Sequence, residues 1–116
     1  MRLFTRTKGS DIDAVTASQL VDRNQATLID VREAEEWEVG HAPVAIHMPL
    51  GGLVASEVTN DKLVIAVCRS GGRSANATAL LRAGGIDVRN LTGGMQAWSA
   101  AGLPVCRDDG SSGIVS

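Results

Sequence analysis

Reactive chemistry concentrates in one stretch of the 116-residue chain, Cys68-Arg69-Ser70-Gly71-Gly72-Arg73-Ser74. Two arginines and two glycines within five residues of a cysteine serve no packing purpose, because charged side chains resist burial. The same composition suits a nucleophilic sulfur. Successive glycines let the backbone turn so that several N–H groups point inward as an anion nest, and a helix starting there adds the positive end of its dipole. An ordinary thiol, with a pKa near 8.5, is only about 3% ionised at pH 7. A helix N-terminus with neighbouring cations lowers that pKa by about one to several units, and two units equal roughly 2.7 kcal/mol in favour of the thiolate. Nothing in the sequence places His41 or His47 beside Cys68, and such a thiolate needs no separate base.

That stretch must sit at the end of a buried strand. Residues 63–67, Leu-Val-Ile-Ala-Val, are apolar without alternation, which predicts a central strand covered on both faces of a parallel sheet. Open α/β sheets place their ligand sites at the carboxyl ends of strands, where Cys68 falls. Further strands are predicted over residues 26–31, 44–47 and 86–91, with residue 62 starting the central one. Thr16-Ala17-Ser18-Gln19 has the form of a capping box and opens a helix. Residues 33–39 begin with acidic side chains, as suits a helix dipole. Residues 76–83 end at Gly84-Gly85, and residues 95–100 stop before Gly102 and Pro104. The alternation describes an α/β domain with right-handed crossovers.

Composition narrows the function. The chain is 44% hydrophobic and 21% charged, with thirteen acidic against eleven basic side chains, enough for one core in one domain. A net charge of −2 provides no broad basic face, and only Phe4, Trp37 and Trp98 are aromatic, so nucleic acid is not an expected partner. Two distant cysteines, Cys68 and Cys106, form no secreted disulfide framework. No apolar signal-peptide core follows the basic residues 1–8, and no apolar run approaches the ~20 residues of a membrane span. The expectation is a soluble, cytoplasmic domain without membrane contact. Residues 1–10 read as an N-terminal arm, 11–106 as the domain, and the polar, Gly/Ser-rich residues 107–116 as a flexible tail. Trp37 and Trp98 read as core. Glu33, Glu35, Glu36 and Glu38 read as a solvated helix face with no His or Cys at metal-ligand spacing, so neither metal nor cofactor is expected. Cys106, at the edge of the tail, reads as an exposed bystander, with a resolving thiol as the alternative if the fold brings it near Cys68.

Cys68 to Ser74 resembles the active-site loop of the rhodanese, or thiosulfate sulfurtransferase, family, and four other segments agree in order. Leu28-Ile29-Asp30-Val31-Arg32-Glu33 is similar to the family's DVR strand, followed by Glu36-Trp37 and Gly40-His41-Ala42-Pro43. Ile46-His47-Met48-Pro49 resembles the end of that signature. Leu91-Thr92-Gly93-Gly94-Met95-Gln96-Ala97-Trp98, with Gly102-Leu103-Pro104-Val105 after it, resembles the family's GGxxAW helix. The resemblance implies a rhodanese-like fold, a five-stranded parallel sheet flanked on both faces by helices, with an edge strand near Val15. It implies that Cys68 takes sulfur from a small donor, thiosulfate or a persulfide, and passes it to a thiophilic acceptor such as cyanide, a thiol or a protein. Arg69 and Arg73 are then expected to bind the donor's sulfonate, with the backbone of Ser70, Gly71, Gly72, Arg73 and Ser74 cradling the persulfide. Asp30 and Arg32 become supports, a carboxylate accepting backbone N–H bonds and an arginine paired with a nearby acid, and His41 becomes a hydrogen-bonded turn residue.

The chain departs from the family at Val44, where Gly is usual and a positive φ is available. Two other functions use a related loop. A sulfur carrier or docking module needs the same cysteine without turnover. Phosphatases and arsenate reductases of related fold clamp their oxyanion with an arginine six positions after the cysteine, where this chain has Ser74, so little phosphatase activity is expected.

Overall fold

The computed structural model describes residues 9–116. Residues 1–8 of the proposed arm lie outside the described residues. Five parallel strands run in the order β1-β5-β4-β2-β3: β1 Asp11–Ile12, β2 Ala26–Asp30, β3 Ile46–His47, β4 Leu63–Val67 and β5 Val88–Leu91. The helices are α1 Ala14–Asp22, α2 Ala34–Val39, α3 Gly72–Ala83 and α4 Gly94–Ala100, with single 3₁₀ turns at Leu50–Gly52 and Ala55–Glu57. Among the described residues no helix is long and apolar enough to cross a membrane.

The continuous apolar run of β4 feeds two cores. Val64, Ala66 and Cys68 pack with Ala77 and Leu81 of α3 on one face, whereas Ile65 and Val67 pack with Ala14, Ala17, Met95 and Trp98 of α1 and α4 on the other. Side chains alternate across a strand, so both alternating sets must be apolar when both faces are covered. β4 is the central strand, bonded to β2 and β5.

Several elements differ locally from the expectation. The edge strand is Asp11–Ile12, paired with Asn90 and Leu91, and Val15 belongs to α1. Asp13, not Thr16, caps α1: its carboxylate accepts the Thr16 N–H at 2.8 Å and the Thr16 hydroxyl at 3.0 Å. An acid can satisfy an orphan donor three residues on, and here it displaces the Thr-x-x-Gln pattern one turn later. Val44 lies in a turn closed by the Ala45 N–H donating to the Ala42 carbonyl, and its φ is not positive, so valine fits where glycine is usual.

Residues 105–115 fold back onto the domain, contrary to the flexible tail read from composition. Cys106 pairs antiparallel with both His41 and Ser112, the Gly113 N–H donates to the Val105 carbonyl, and the Ile114 N–H donates to the Val39 carbonyl. Val115 packs on the α1/α4 core. Gly and Ser serve here as a turn around Gly110, whose φ is +87°. Cys106 is accordingly half-buried and fixed by its backbone, not an exposed bystander; it and Cys68 are both free thiols.

Candidate active site

The loop leaves β4 at Val67 and becomes helix after four residues. Gly71, with φ +118°, caps α3 in a conformation that side chains oppose, and the helix begins at Gly72, four residues before the Ala/Leu-rich segment. Gly72, Arg73 and Ser74 therefore form the first helical turn. Cys68 sits at the positive end of this twelve-residue helix with only 1% of its surface exposed.

Donors converge on the sulfur. The Gly71 N–H donates to Cys68 Sγ at 3.1 Å, and the buried Ser74 hydroxyl lies 3.3 Å from it. Burial pushes the thiol pKa up. Hydrogen bonds from the Ser74 hydroxyl and from the N–H groups of Ser74, Gly71 and Ser70 outweigh it and hold the pKa below the ordinary value. The expected lowering is present, and its source is the hydrogen-bond cradle more than the arginines.

The arginines divide. Arg69 is exposed at the rim, and no partner holds its side chain among the described residues. Arg73 donates from both terminal nitrogens to Glu36 of α2, at 2.6 and 2.8 Å, so the cation assigned to the donor is already paired. Glu36 is consequently not part of a solvated face. Its second role is local, since Glu33 and Glu36 form a reciprocal capping box at the start of α2.

The Arg73 hydrogen bond holds the Glu36 carboxyl down from 4.5 to about 2. Such a depressed acid adds stability above pH 4.5 and loses it as pH falls through about 2. Glu36→Gln is expected to cost about 1 kcal/mol in urea denaturation at pH 7. That deficit shrinks as the pH is lowered from 4.5 toward 2.

Asp30 and Arg32 meet each other under the site, both fully buried. Asp30 accepts the Arg32 backbone N–H at 3.0 Å and its guanidinium at 2.7 to 3.0 Å, and Arg32 also donates to the Gly40 carbonyl at 2.8 Å. Between them, the Val31 N–H donates to the carbonyl of Val67, the residue before Cys68. The pair thus fixes the end of β2 beside the loop. His41 is hydrogen-bonded in its turn through Nδ1 and the Trp37 carbonyl at 2.8 Å. Trp98 is core, but Trp37 is half-buried, stacked on His41 with ring centroids 3.6 Å apart and on His47 at 4.7 Å.

Three further supports lie beyond the residues singled out from sequence. Asn90 bonds the Ser74 hydroxyl at 2.5 Å, and the N–H groups of Met95 and Gln96 donate to the carbonyls of Cys68 and Arg69 at 2.7 and 3.0 Å. Asn90 is in register with Ala66 of β4, so the carboxyl-end rule applied to the neighbouring strand points to it. Gly94 is wedged behind the loop: a Cβ there would stand 2.5 Å from the carbonyl oxygens of both Cys68 and Arg69. This explains the second glycine of Gly93-Gly94, the first residue of α4. Among the described residues no group of His, Cys, Asp and Glu is placed to hold a metal ion.

A family model for the rhodanese-like domain matches residues 13–101. The chain belongs to that family. This rhodanese-like domain is 37% identical over 105 residues to a sulfurtransferase of Allochromatium vinosum, covering 87% of this chain and 98% of that one. It is 39% identical over 110 residues to an HTH-type transcriptional regulator of Mycobacterium tuberculosis, covering 89% of this chain but spanning about half, 48%, of the regulator. Among solved structures it is similar to a rhodanese-related protein of Thermoplasma volcanium, with a TM-score of 0.77 and 30% identity over 83% of this chain and 96% of that one. The rhodanese-like fold, its five-stranded parallel sheet and its helices on both faces are those expected from the sequence. Family and relatives support sulfur transfer as the general chemistry of the domain.

Proposed function

We propose that the domain is a sulfurtransferase that moves a sulfane sulfur from thiosulfate, or from a persulfide, through a persulfide on Cys68 to a thiophilic acceptor such as cyanide, a thiol or a protein. The observation that carries this reading is the Cys68 sulfur at the N-terminus of α3, receiving the Gly71 N–H and facing the Ser74 hydroxyl. The thiolate attacks the outer sulfur of thiosulfate, the sulfur–sulfur bond breaks, and sulfite departs with its electron pair. The acceptor then attacks the outer sulfur of the Cys68 persulfide and the thiolate returns, a double displacement with ping-pong kinetics. Arg69 meets the sulfonate at the rim. The N–H groups of residues 70–74 receive the charge of the persulfide. Arg73 orders the loop through Glu36.

A second reading is a domain that carries sulfur or docks to a partner without turnover, and similarity to a putative sulfur carrier protein of Bacillus subtilis, half of whose length this chain spans, favours the carrier form. One experiment serves both. The intact mass is recorded after incubation with thiosulfate, without reductant, for wild type and Cys68→Ser. A gain of one sulfur atom on wild type only, removed by cyanide, is expected. No gain on wild type overturns sulfur transfer from thiosulfate, and a loaded protein that forms no thiocyanate in steady state is a carrier.

A further inference from the structure

We propose that Asn90 is a positioning residue for Cys68, its side-chain amide deciding whether the single hydroxyl proton of Ser74 points at the sulfur or away from it. Ser74 is fully buried and has one O–H to donate, yet three acceptors surround its oxygen: Cys68 Sγ at 3.3 Å, the Gly71 carbonyl at 3.3 Å and Asn90 Oδ1 at 2.5 Å. With its amide oxygen toward Ser74, Asn90 takes the proton at the shortest of the three distances, and its Nδ2 lies 3.4 Å from the Gly71 carbonyl. With the amide turned over, Nδ2 donates to the serine oxygen and the hydroxyl proton is released toward the sulfur, at the cost of the long 3.4 Å contact from Nδ2 to the Gly71 carbonyl. A neutral thiol has little use for that proton, whereas a buried thiolate without donors is costly.

The two orientations therefore belong to the two states of the sulfur. When Cys68 loses its proton to solvent, the Ser74 hydroxyl swings from Asn90 to Sγ and the amide turns to donate behind it. The turn exchanges an oxygen for a nitrogen at nearly constant volume. Asn90 also borders a cavity of about 290 Å³ between β1 and α3, so its side chain is not packed solid. Its backbone is pinned by the N–H that donates to the Ser10 carbonyl. The charged groups around the relay are Asp11 and Arg82 across that cavity, and Arg69, Arg73 and Glu36 around the sulfur. None of them needs to change charge as the amide turns.

The inference rests on Cys68 as the reacting thiol of the proposed reaction. Its test reads ionisation and not sulfur transfer, so the two can fail separately. Alkylation of Cys68 by iodoacetamide, followed on its own peptide so that Cys106 does not contribute, is measured against pH in wild type, Asn90→Asp, Ser74→Ala and the double variant. A carboxylate at position 90 can only accept the Ser74 proton. Asn90→Asp is expected to raise the Cys68 pKa by about one unit, slowing alkylation at pH 7 up to about tenfold. In the Ser74→Ala background the same change should produce less than about a third of that shift, the part due to charge alone. Equal shifts in both backgrounds, or none in either, overturn the proposal.

Should Asn90→Asp not fold, the wild type supplies the answer by NMR of ¹⁵N-labelled protein. The Asn90 side-chain amide signals are expected to move as Cys68 titrates and to stay still in Ser74→Ala. Movement that survives in Ser74→Ala, or is absent from wild type, overturns the proposal.

Discussion

Asp30→Ala is expected to lower the stability of the domain by about 3–5 kcal/mol, measured as a shift of the urea midpoint at unchanged slope. The reason is what it leaves behind. Arg32 has no exposed surface, its salt-bridge partner among the described residues is Asp30, and its Nη1 has no hydrogen-bond partner there. Deleting the carboxylate strands a full positive charge in the interior, against a total domain stability of about 5–15 kcal/mol. The matched double change Asp30→Leu with Arg32→Met should recover most of that loss, because burying two apolar side chains avoids the desolvation of both ions. A cost below about 1 kcal/mol for Asp30→Ala would remove the pair from its place as the support of the β2 end.

Gly94→Ala is expected to reduce sulfur loading of Cys68 by about 100-fold or more, since about 1 Å of misplacement at a reacting group costs that much. The added methyl would overlap the carbonyl oxygens of Cys68 and Arg69, which are backbone atoms and cannot rotate away. Gly102→Ala is the control. Gly102 has a comparable positive φ of +76° but nothing within 4 Å of its Cβ position, whereas Gly94 has φ +61° and no space. Both variants carry the left-handed strain of about 1–2 kcal/mol. Only Gly94→Ala should lose loading, read by intact mass after thiosulfate. Equal loss in both would trace the effect to strain and not to the wedge.

Much of the framework was legible because it depends on local pattern. The unbroken apolar run at residues 63–67 announced a strand between two cores, and Cys68 followed at its carboxyl end. What escaped depends on pairings distant in sequence. Arg73 and Glu36 are 37 positions apart, and only the adjacency of β2 and β4 makes them neighbours, so the loop looked more cationic than it is. Asn90 is one polar residue in a short strand, and its significance comes from Ser74, sixteen positions away. The first strand has two residues, too few for any period, which is why the edge was expected near Val15. Composition misled at residues 107–116, where the same Gly and Ser that loosen a tail also build the turn that returns it to Val39.

The hold of Met95 and Gln96 on the Cys68 and Arg69 carbonyls also sets an order in time. The strand that leads into Cys68 is synthesised before α4, so a nascent chain presents its thiol while the far side of the loop is still open to water. Pairings between distant segments form late and leave such intermediates exposed. Assembly of the Cys68 loop therefore waits for the C-terminal part of the domain, and a chain interrupted before Gly94 carries the cysteine without its completed cradle.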